Sequence, residues 1–300
     1  KKISKTLKKI KPDYLILLGD RFEAFAGAIS GLFNKIPIVH IHGGELTYGS
    51  IDDQMRHSIT KIADIHFASS EMHKKRVIQM GENPKKVFNI GSLSLDQIDK
   101  IKLHQKRDLE KEFKFKFKKN NFLVTVHPSK KTNESTQILK SLDKVFNKIN
   151  DLLIIFTYPG LDDGSKLIVN QIKKLNKSKK FSSILIKSLG QKNYFSFMNN
   201  VDLVIGNSSS GIIEAPTFKT FTLDIGTRQY GREKSKSVYH SSVEANQIHS
   251  KIIKILRNKN YNQTIFNNPF FKKNSNLLAF NILKKLKKKN HNQKFFDIKF

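Results

Sequence analysis

Short apolar runs rich in β-branched and aromatic residues alternate with amphipathic stretches along almost the whole chain, and this alternation restricts the fold more than any other feature. The runs are Asp13–Leu18, Ile36–Ile41, Ile65–Ala68, Phe122–Val126, Leu152–Thr157, Ser183–Ile186, Leu203–Ile205 and Phe221–Asp224. Between or beside them, Phe22–Phe33, Asp53–Ile62, Glu71–Met80, Thr136–Ile149, Gly164–Leu175 and Gly211–Thr217 carry helical spacing. Continuous apolar runs of this length read as strands buried on both faces, which a parallel sheet covered by helices provides. Strand and helix in alternation therefore predict an α/β protein assembled from βαβ units.

Two of the predicted strands end in a way that points to chemistry. Tyr14–Leu18 stops at Gly19-Asp20-Arg21, and Ile36–Ile41 stops at His42-Gly43-Gly44-Glu45. Ligands of open parallel sheets bind beyond the carboxyl ends of strands, so neighbouring strands that both end in titratable residues outline a site. In the second half, Val201–Gly206 runs into Asn207–Pro216, a small-residue turn that opens a helix. Its backbone amides and the hydroxyls of Ser208, Ser209 and Ser210 would cradle a phosphate, although a serine and glycine cluster before a helix is also ordinary capping chemistry. Arg228 and Arg232 follow the next strand at the same end of the sheet, which suits a diphosphate or nucleotide.

The chain opens with a basic amphipathic helix, KKISKTLKKI, where a doubly wound sheet would open with a strand and a ligand-contacting turn. Asp13–Leu18 is therefore not expected to be the first strand, and an amino-terminal piece is expected to be missing. Lys106–Asn121 is charged, lacks small turn residues and marks the junction between two blocks. Its alternating Phe and Lys fit either an exposed strand or a linker-helix tail that packs Phe113, Phe115 and Phe117 on one side. The expected organisation is a Rossmann-like domain over 1–107, a second over 108–275, and a C-terminal helix in 276–300 packing back on the first. Helices are also expected at Ser250–Arg257 and Leu277–Lys288, with an Asn-rich loop, Asn258–Asn276, between them.

Composition closes off several classes. The 300 residues, 38% hydrophobic and with 23 Phe, are enough for two α/β cores. The absence of cysteine excludes a disulfide scaffold, a thiolate metal site and a cysteine nucleophile, and fits a reducing compartment. No apolar stretch is long enough to span a bilayer, so the expectation is a soluble cytoplasmic protein with no membrane partner. The 55 Lys and Arg against 25 Asp and Glu give a formal charge of +30, which raises the possibility of nucleic-acid binding. The lysines are spread in pairs along the chain and become dense only at Lys284–Lys289, without any nucleic-acid motif. They read as solvated surface that attracts anionic substrates, with no specific nucleic-acid partner.

Five segments together resemble the hydrolysing UDP-N-acetylglucosamine 2-epimerase family, including its UDP-N,N'-diacetylbacillosamine branch. They are GDRFE (Gly19–Glu23), HIHGGE (His40–Glu45), IDDQMRHSITK (Ile51–Lys61), GNSSSGIIEAP (Gly206–Pro216) and IGTRQYGR (Ile225–Arg232), in the family's order and spacing. The resemblance implies two Rossmann-like domains in a glycosyltransferase-B-like fold, with the N-terminal part of the first domain missing and UDP-sugar in the cleft. It implies proton abstraction at sugar C2 with loss of UDP, a glycal-like intermediate, and water addition that releases a free 2-epimerised sugar. No metal or organic cofactor is implied, and a homodimer is.

Residue by residue, the resemblance carries acid and base roles to Asp20 and Asp52 and makes His127 a histidine facing the phosphates or the leaving oxygen; Glu45, in the loop of His42, is a further candidate carboxylate. It carries substrate binding to Arg21, Arg56, Ser208, Ser209, Ser210, Gly211, Glu214, Arg228, Gln229 and Arg232. Asp52 could instead be a helix N-cap, and Arg56, one turn on, could pair with it or orient it. Where related epimerases acting on UDP-N-acetylglucosamine often carry glutamate before the glycine pair, this chain has His42, an imidazole that can move protons near neutral pH. That difference leans the chain towards the bacillosamine branch and leaves the identity of the base open. His40 and His66 lie inside strand runs and read as structural. A nonhydrolysing epimerase, a glycosyltransferase on the same fold and a basic nucleic-acid-binding module are the competing readings. The sugar released would feed a nonulosonic (legionaminic or sialic) acid pathway.

Overall fold

A computed structural model of the 300-residue chain describes residues 1–48, 51–96, 98–129, 131, 133–160, 164–177, 180–257, 262–286 and 295–298. The chain divides into two compact units, one comprising Lys1–Gln97, Gly231–Glu233 and Pro269–Phe300, the other Ile98–Tyr230 and Lys234–Asn268. The division after residue 97 lies ten residues before the 107/108 boundary read from the sequence, and the return to the first unit begins at Pro269 instead of 276.

The first unit contains, in chain order, α1 (Lys2–Ile10), β1 (Leu15–Leu18), α2 (Phe22–Phe33), β2 (Ile38–Ile41), α3 (Ile51–Ile62), β3 (Ile65–Ala68), α4 (Glu71–Gln79) and β4 (Val87–Asn89). Its sheet is four-stranded and parallel, in the order β1-β2-β3-β4. Strand residues alternate between faces, so Ile38 joins a cluster with Leu17, Ala28, Ile59 and Ala63 while Val39 joins one with Ile41, Ile65, Phe67 and Ile90. The first face is covered by α2 and α3. Residues Ala279, Ile282 and Leu283 of a late helix pack on the second, and Tyr14 Oη donates to the carbonyl of Leu286 at 2.9 Å.

The second unit contains α5 (Lys106–Phe113), β5 (Asn120–Thr125), α6 (Glu134–Phe146), β6 (Leu152–Thr157), α7 (Ser165–Asn176), β7 (Ser182–Ile186), α8 (Gly190–Asn200), β8 (Leu203–Gly206), α9 (Ser210–Ile213), β9 (Phe221–Ile225), β10 (Val238–Ser241) and α10 (Ala245–Arg257). The late helix of the first unit is α11 (Ser275–Lys285). The second sheet is six-stranded, parallel and ordered β10-β9-β8-β5-β6-β7. The chain builds outward from β5 through β6 and β7, then returns to the other side of β5 with β8. Strand order reverses at the β5–β8 pair, and the carboxyl ends of strands at such a reversal are where α/β sheets bind ligands. Phe122, Val124, Phe146, Phe156, Ile252 and their neighbours fill one face; Leu123, Ile155, Phe197 and Met198 fill the other. Each fully buried side chain of this size contributes about 1.5–3 kcal/mol.

Local departures from the sequence reading have physical causes. The strands β4 and β10 are only three and four residues long, VFN and VYHS, and carry no continuous apolar run. The helices α5 and α8 are rich in charged or polar residues; α5 buries only Leu109, and α8 buries its apolar residues in the short run Phe195–Met198. The helix expected over Gly211–Thr217 breaks after Ile213 and continues as a tighter 3-10 turn, Ala215–Phe218, because Pro216 has no N–H to extend the α-helical ladder. In the junction, α5 ends at Phe113, and Phe113 and Phe115 lie 5.3 and 5.8 Å from the ring of Phe197, with Phe115 and Phe117 4.9 Å apart. The alternating phenylalanines are thus a helix tail covering a core face, not an exposed strand. The helix expected over Leu277–Lys288 is α11, and residues 287–289, the end of the dense lysine run, lie outside the described residues, as do 258–261 of the Asn-rich loop.

Candidate functional site

In the first unit, the functional side chains collect where β1 and β2 end. The N–H of Gly19 donates to the carbonyl of Ile41 at 2.9 Å, so the two strand ends leave the sheet side by side. Asp20 comes next. Its carboxylate receives a hydrogen bond from Arg56 Nη2 on α3, whose guanidinium is buried and also donates to Thr47 Oγ1 at 3.1 Å. Burial raises the pKa of Asp20 and outweighs the opposing pull of Arg56; the charges of Asp52 and Glu45 push the same way as burial, while Arg232 opposes them. Asp20 therefore holds its proton more tightly than an exposed aspartate.

Asp52 is the second residue of α3, inside its first turn, so the N-cap position is not its own. Asp53 Oδ1 accepts from the N–H of Thr47 at 2.7 Å, which ties the loop after β2 to the helix that follows it. Arg21 stands apart: it is exposed and pairs only loosely with the exposed Glu23, at 3.5 Å.

His42 adopts a left-handed backbone, φ 66°, and its Nδ1 lies 2.5 Å from Glu45 Oε1. Glu45 is 5% exposed. Burial alone would raise its pKa, yet the adjacent His42, with Arg232 at 3.9 Å and His73 beyond, hold the carboxyl well below the usual range. Arg76 on α4 donates to the carbonyl of Gly44, fixing the glycine pair from the other side. His40 Nε2 bonds to the carbonyl of Gly19 at 2.9 Å, and burial drives its pKa down to about 3, so the ring is a neutral brace beneath Asp20 and not a proton carrier. His66 bonds to Glu82, 3.1 Å away, within the sheet's flank. Both are structural, as read from the sequence.

The second unit presents a separate group at the β5–β8 reversal. His127 follows β5, and Asn207 follows β8. His127 Nδ1 accepts from the N–H of Gly160 at 3.2 Å, which places the ring proton of the neutral form on Nε2. The carbonyl of Asn207 accepts from Arg228 Nη1 at 3.0 Å and from the buried Gln229 Nε2 at 2.8 Å. Ser208 and Ser210 hydroxyls lie 3.0 Å apart, and Tyr194 Oη is 2.6 Å from Ser210 Oγ. Ser209 precedes the four-residue α9 without a side-chain capping bond, Gly211 packs beneath Thr222 with its carbonyl accepting from Thr222 Oγ1 at 2.7 Å, and Glu214 ends the helix. This is a hydroxyl-rich turn with an arginine beside it, suited to an anion.

Arg232 does not stay with Arg228. The segment Gly231–Glu233 groups with the first unit, where Arg232 faces Glu45 at 3.9 Å, while Arg228 belongs to the second. Several residues that matter were not singled out from the sequence. Asn207 is one; its place directly after a strand end, before the serines, was the available signal. Glu134 is another: buried at the start of α6, it accepts from Ser129 Oγ at 2.6 Å and from the N–H of Thr227 at 3.0 Å, pinning the loop that carries Arg228. Ser69 and His73 lie under Glu45 and gave no sequence signal at all. Among the described residues no group of three or more His, Asp or Glu is placed to hold a metal ion, and no helix is long and apolar enough to cross a membrane.

Comparison with known proteins gives the family and the fold. The family described as UDP-N-acetylglucosamine 2-epimerase matches residues 1–284. A Campylobacter jejuni protein named GDP/UDP-N,N'-diacetylbacillosamine 2-epimerase (hydrolyzing) is 40% identical over 241 residues, 80% of this chain and 63% of the relative. The polysialic acid biosynthesis protein P7 of Escherichia coli is 38% identical over 269 residues, 88% of this chain and 67% of the relative. A Legionella pneumophila UDP-N,N'-diacetylbacillosamine 2-epimerase (hydrolyzing) is 36% identical, and the chain covers 59% of it. The chain thus spans about three fifths to two thirds of the length of these relatives. Among solved structures, UDP-GlcNAc 2-epimerase from Neisseria meningitidis bound to UDP-GlcNAc superposes with a TM-score of 0.78 at 20% identity, covering 95% of this chain and 80% of that one. The fold is that of the UDP-GlcNAc 2-epimerase structures, glycosyltransferase-B-like.

Proposed function

Because the chain belongs to the UDP-N-acetylglucosamine 2-epimerase family, we propose that it carries the chemistry of a hydrolysing UDP-sugar 2-epimerase, converting UDP-N,N'-diacetylbacillosamine, or UDP-N-acetylglucosamine as second choice, with water to UDP and the free manno-configured sugar. The product would enter nonulosonic acid synthesis, in keeping with the name of its Escherichia relative, a polysialic acid biosynthesis protein. One observation carries the reading: at the ends of β1 and β2 the first unit pairs a carboxyl that holds its proton tightly, Asp20, with an imidazole seated on a buried carboxylate, His42 on Glu45. Epimerisation at C2 through elimination and hydration needs one group to remove a proton and another to return one. Asp20 and His42 supply two such groups, with Asp52 as a further carboxylate beside Asp20.

The second unit supplies binding. Arg228 and the Ser208–Ser210 turn hold the diphosphate, Gln229 and Asn207 set their positions, and His127 gives its Nε2–H to the leaving phosphate oxygen. Elimination takes the C2 proton onto the base, the C–H electron pair forms the C1=C2 double bond, and the C1–O pair leaves with UDP. Water then adds to the double bond with protonation of C2 from the opposite face. The cysteine-free sequence fits a reducing cytoplasm, and the enzyme acts there as a homodimer, with no metal, organic cofactor, specific nucleic acid or membrane partner.

The test is incubation of the protein with each nucleotide sugar in deuterated water. UDP release with deuterium at C2 of a free sugar is the expected result. A UDP-linked epimer in its place would make the enzyme nonhydrolysing, and no UDP release and no C2 deuterium with either substrate would overturn the reading.

A further inference from the structure

A chain of hydrogen bonds leads away from His42 into the interior of the first unit. Glu45 Oε1 accepts from His42 Nδ1 at 2.5 Å and from Ser69 Oγ at 2.8 Å, and Ser69 Oγ lies 2.9 Å from His73 Nδ1. Ser69 directly follows β3 and His73 is in the first turn of α4, so the chain ties the loop after β2 to two other elements. All three inner members are buried: Glu45 5%, Ser69 1% and His73 2% exposed.

The direction of every bond follows from the donor and acceptor inventory. An ionised carboxylate only accepts, so the one hydroxyl proton of Ser69 goes to Glu45 and Ser69 must accept from His73 Nδ1–H. By the same rule His42 donates its Nδ1–H. Burial keeps His73 neutral, with its pKa lowered to about 4, so its single ring proton is the one given to Ser69. His73 Nε2 is then a buried lone pair with no hydrogen-bond partner among the described residues, beside the ring of Phe270, 5.9 Å from centroid to centroid. A buried acceptor without a partner is costly, and the fold retains it in order to send the Nδ1 proton the other way. Among the charged groups around this assembly, Arg232 favours the anionic form of Glu45, Arg76 and Arg232 favour the neutral form of His73, the Glu45 carboxylate opposes them at His73, and Asp20 lies within reach of Glu45's charge.

We propose that Ser69 and His73 are positioning residues that act through Glu45 to hold the His42 ring with Nδ1–H inward and Nε2 as its proton-transfer atom. This rests on the epimerase reading above. In the elimination, His42 Nε2 takes the proton from C2, the C–H pair becomes the C1=C2 bond and the C1–O pair departs with UDP. The imidazolium that results keeps its Nδ1–H on the Glu45 carboxylate. Without the Ser69 donor, Glu45 can turn away or share its charge differently, and the ring loses its fixed orientation.

Two measurements test this. Nitrogen-15 spectra of histidine-labelled protein near pH 8 should show both His42 and His73 as the Nδ1–H form; the Nε2–H form at either ring would overturn the proposal, whatever the substrate. In turnover, Ser69→Ala and His73→Leu should each lower kcat about tenfold with KM little changed, the cost of one bond to a charged group. Ser69→Thr and His73→Asn, which keep a donor at the same atom, should restore most of it. Wild-type kcat in Ser69→Ala and His73→Leu, or loss of kcat in the conservative pair equal to that in the disruptive pair, would overturn the positioning role. Absence of turnover in the unaltered protein with both sugars would instead overturn the epimerase reading, leaving the spectra to decide the hydrogen-bond chain.

Discussion

The side-chain amide of Asn207 clamps both backbone polar groups of His127: Oδ1 accepts from its N–H at 2.7 Å and Nδ2 donates to its carbonyl at 2.9 Å. This pair bridges the carboxyl ends of β5 and β8, the two strands at which the order of the second sheet reverses. A fully buried asparagine thereby sets the backbone from which His127 projects, while its own carbonyl gathers Arg228 and Gln229. One residue thus ties together His127, Arg228 and Gln229 at this end of the sheet.

Asn207→Asp keeps the shape and replaces the Nδ2 donor with a second acceptor facing the carbonyl of His127. That carbonyl keeps its bond from Ser135 Oγ, at 2.8 Å, and a charge enters a buried position. The expected cost is about 1–3 kcal/mol of stability together with roughly tenfold weaker UDP binding. Titration calorimetry with UDP and thermal unfolding check both; unchanged UDP affinity would separate Asn207 from the nucleotide site.

Asp20→Asn removes the exchangeable proton with little change of shape. Turnover should fall at least about a hundredfold, the loss of one proton-transferring group, while UDP binding is retained because the groups proposed to hold the diphosphate are in the second unit. Rapid-quench turnover and UDP titration on the same preparation distinguish the roles. Loss of UDP binding would move Asp20 from proton transfer to structure.

Much of this was legible in the sequence where a residue's neighbours along the chain are also its partners in space. The helix over Phe22–Phe33 and the strand over Leu152–Thr157 coincide with α2 and β6 because each has an unbroken period of its own. His42 and Glu45, three residues apart in one loop, could be read as a pair. The α/β class and the family followed from the same local patterns. What was not legible depends on long-range closure. Ser69 and His73 belong to an ordinary strand end and helix start, and acquire meaning only when β3 sets them under a loop that left β2 some twenty residues earlier. Arg232 reads as a companion of Arg228 until the fold places it against Glu45. Glu134 has nothing in its own helix to distinguish it from a first-turn acid; its partners Thr227 and Gly226 are more than ninety residues away.

His73 should make stability depend on pH. Its folded pKa is lowered to about 4 by burial, against about 6.5 in the unfolded chain, so below pH 6.5 the unfolded state binds a proton that the folded state refuses. Stability therefore falls as pH drops from 6.5 towards 4, by about 2 kcal/mol between pH 7 and pH 5 from this residue alone. His40, lowered to about 3, adds in the same direction. His73→Asn keeps a donor towards Ser69 and has no proton to bind in this range. Urea unfolding at pH 7 and pH 5 should show a smaller drop for the variant; equal drops would mean that His73 titrates alike in both states.

Gly206→Ala should be the most damaging single-methyl change in the second unit. Gly206 pairs with Thr125 across β5 and β8 and has φ 138°, and a Cβ there would run into the carbonyl of Thr125. That carbonyl cannot yield, because it already accepts from the N–H of Asn207 at 3.3 Å and belongs to the central strand. The methyl group must therefore push β5 and β8 apart at the sheet reversal, taking Asn207 and its clamp on His127 with them. Gly190→Ala is the matched control: it also has positive φ, 62°, but nothing lies within 4 Å of its Cβ, so only the backbone cost of about 1 kcal/mol applies. Gly206→Ala is expected to lose more than about 3 kcal/mol, or to fail to accumulate as folded protein. Chemical unfolding of the two variants side by side checks this, and equal losses would show that the β5–β8 spacing absorbs a methyl group without strain.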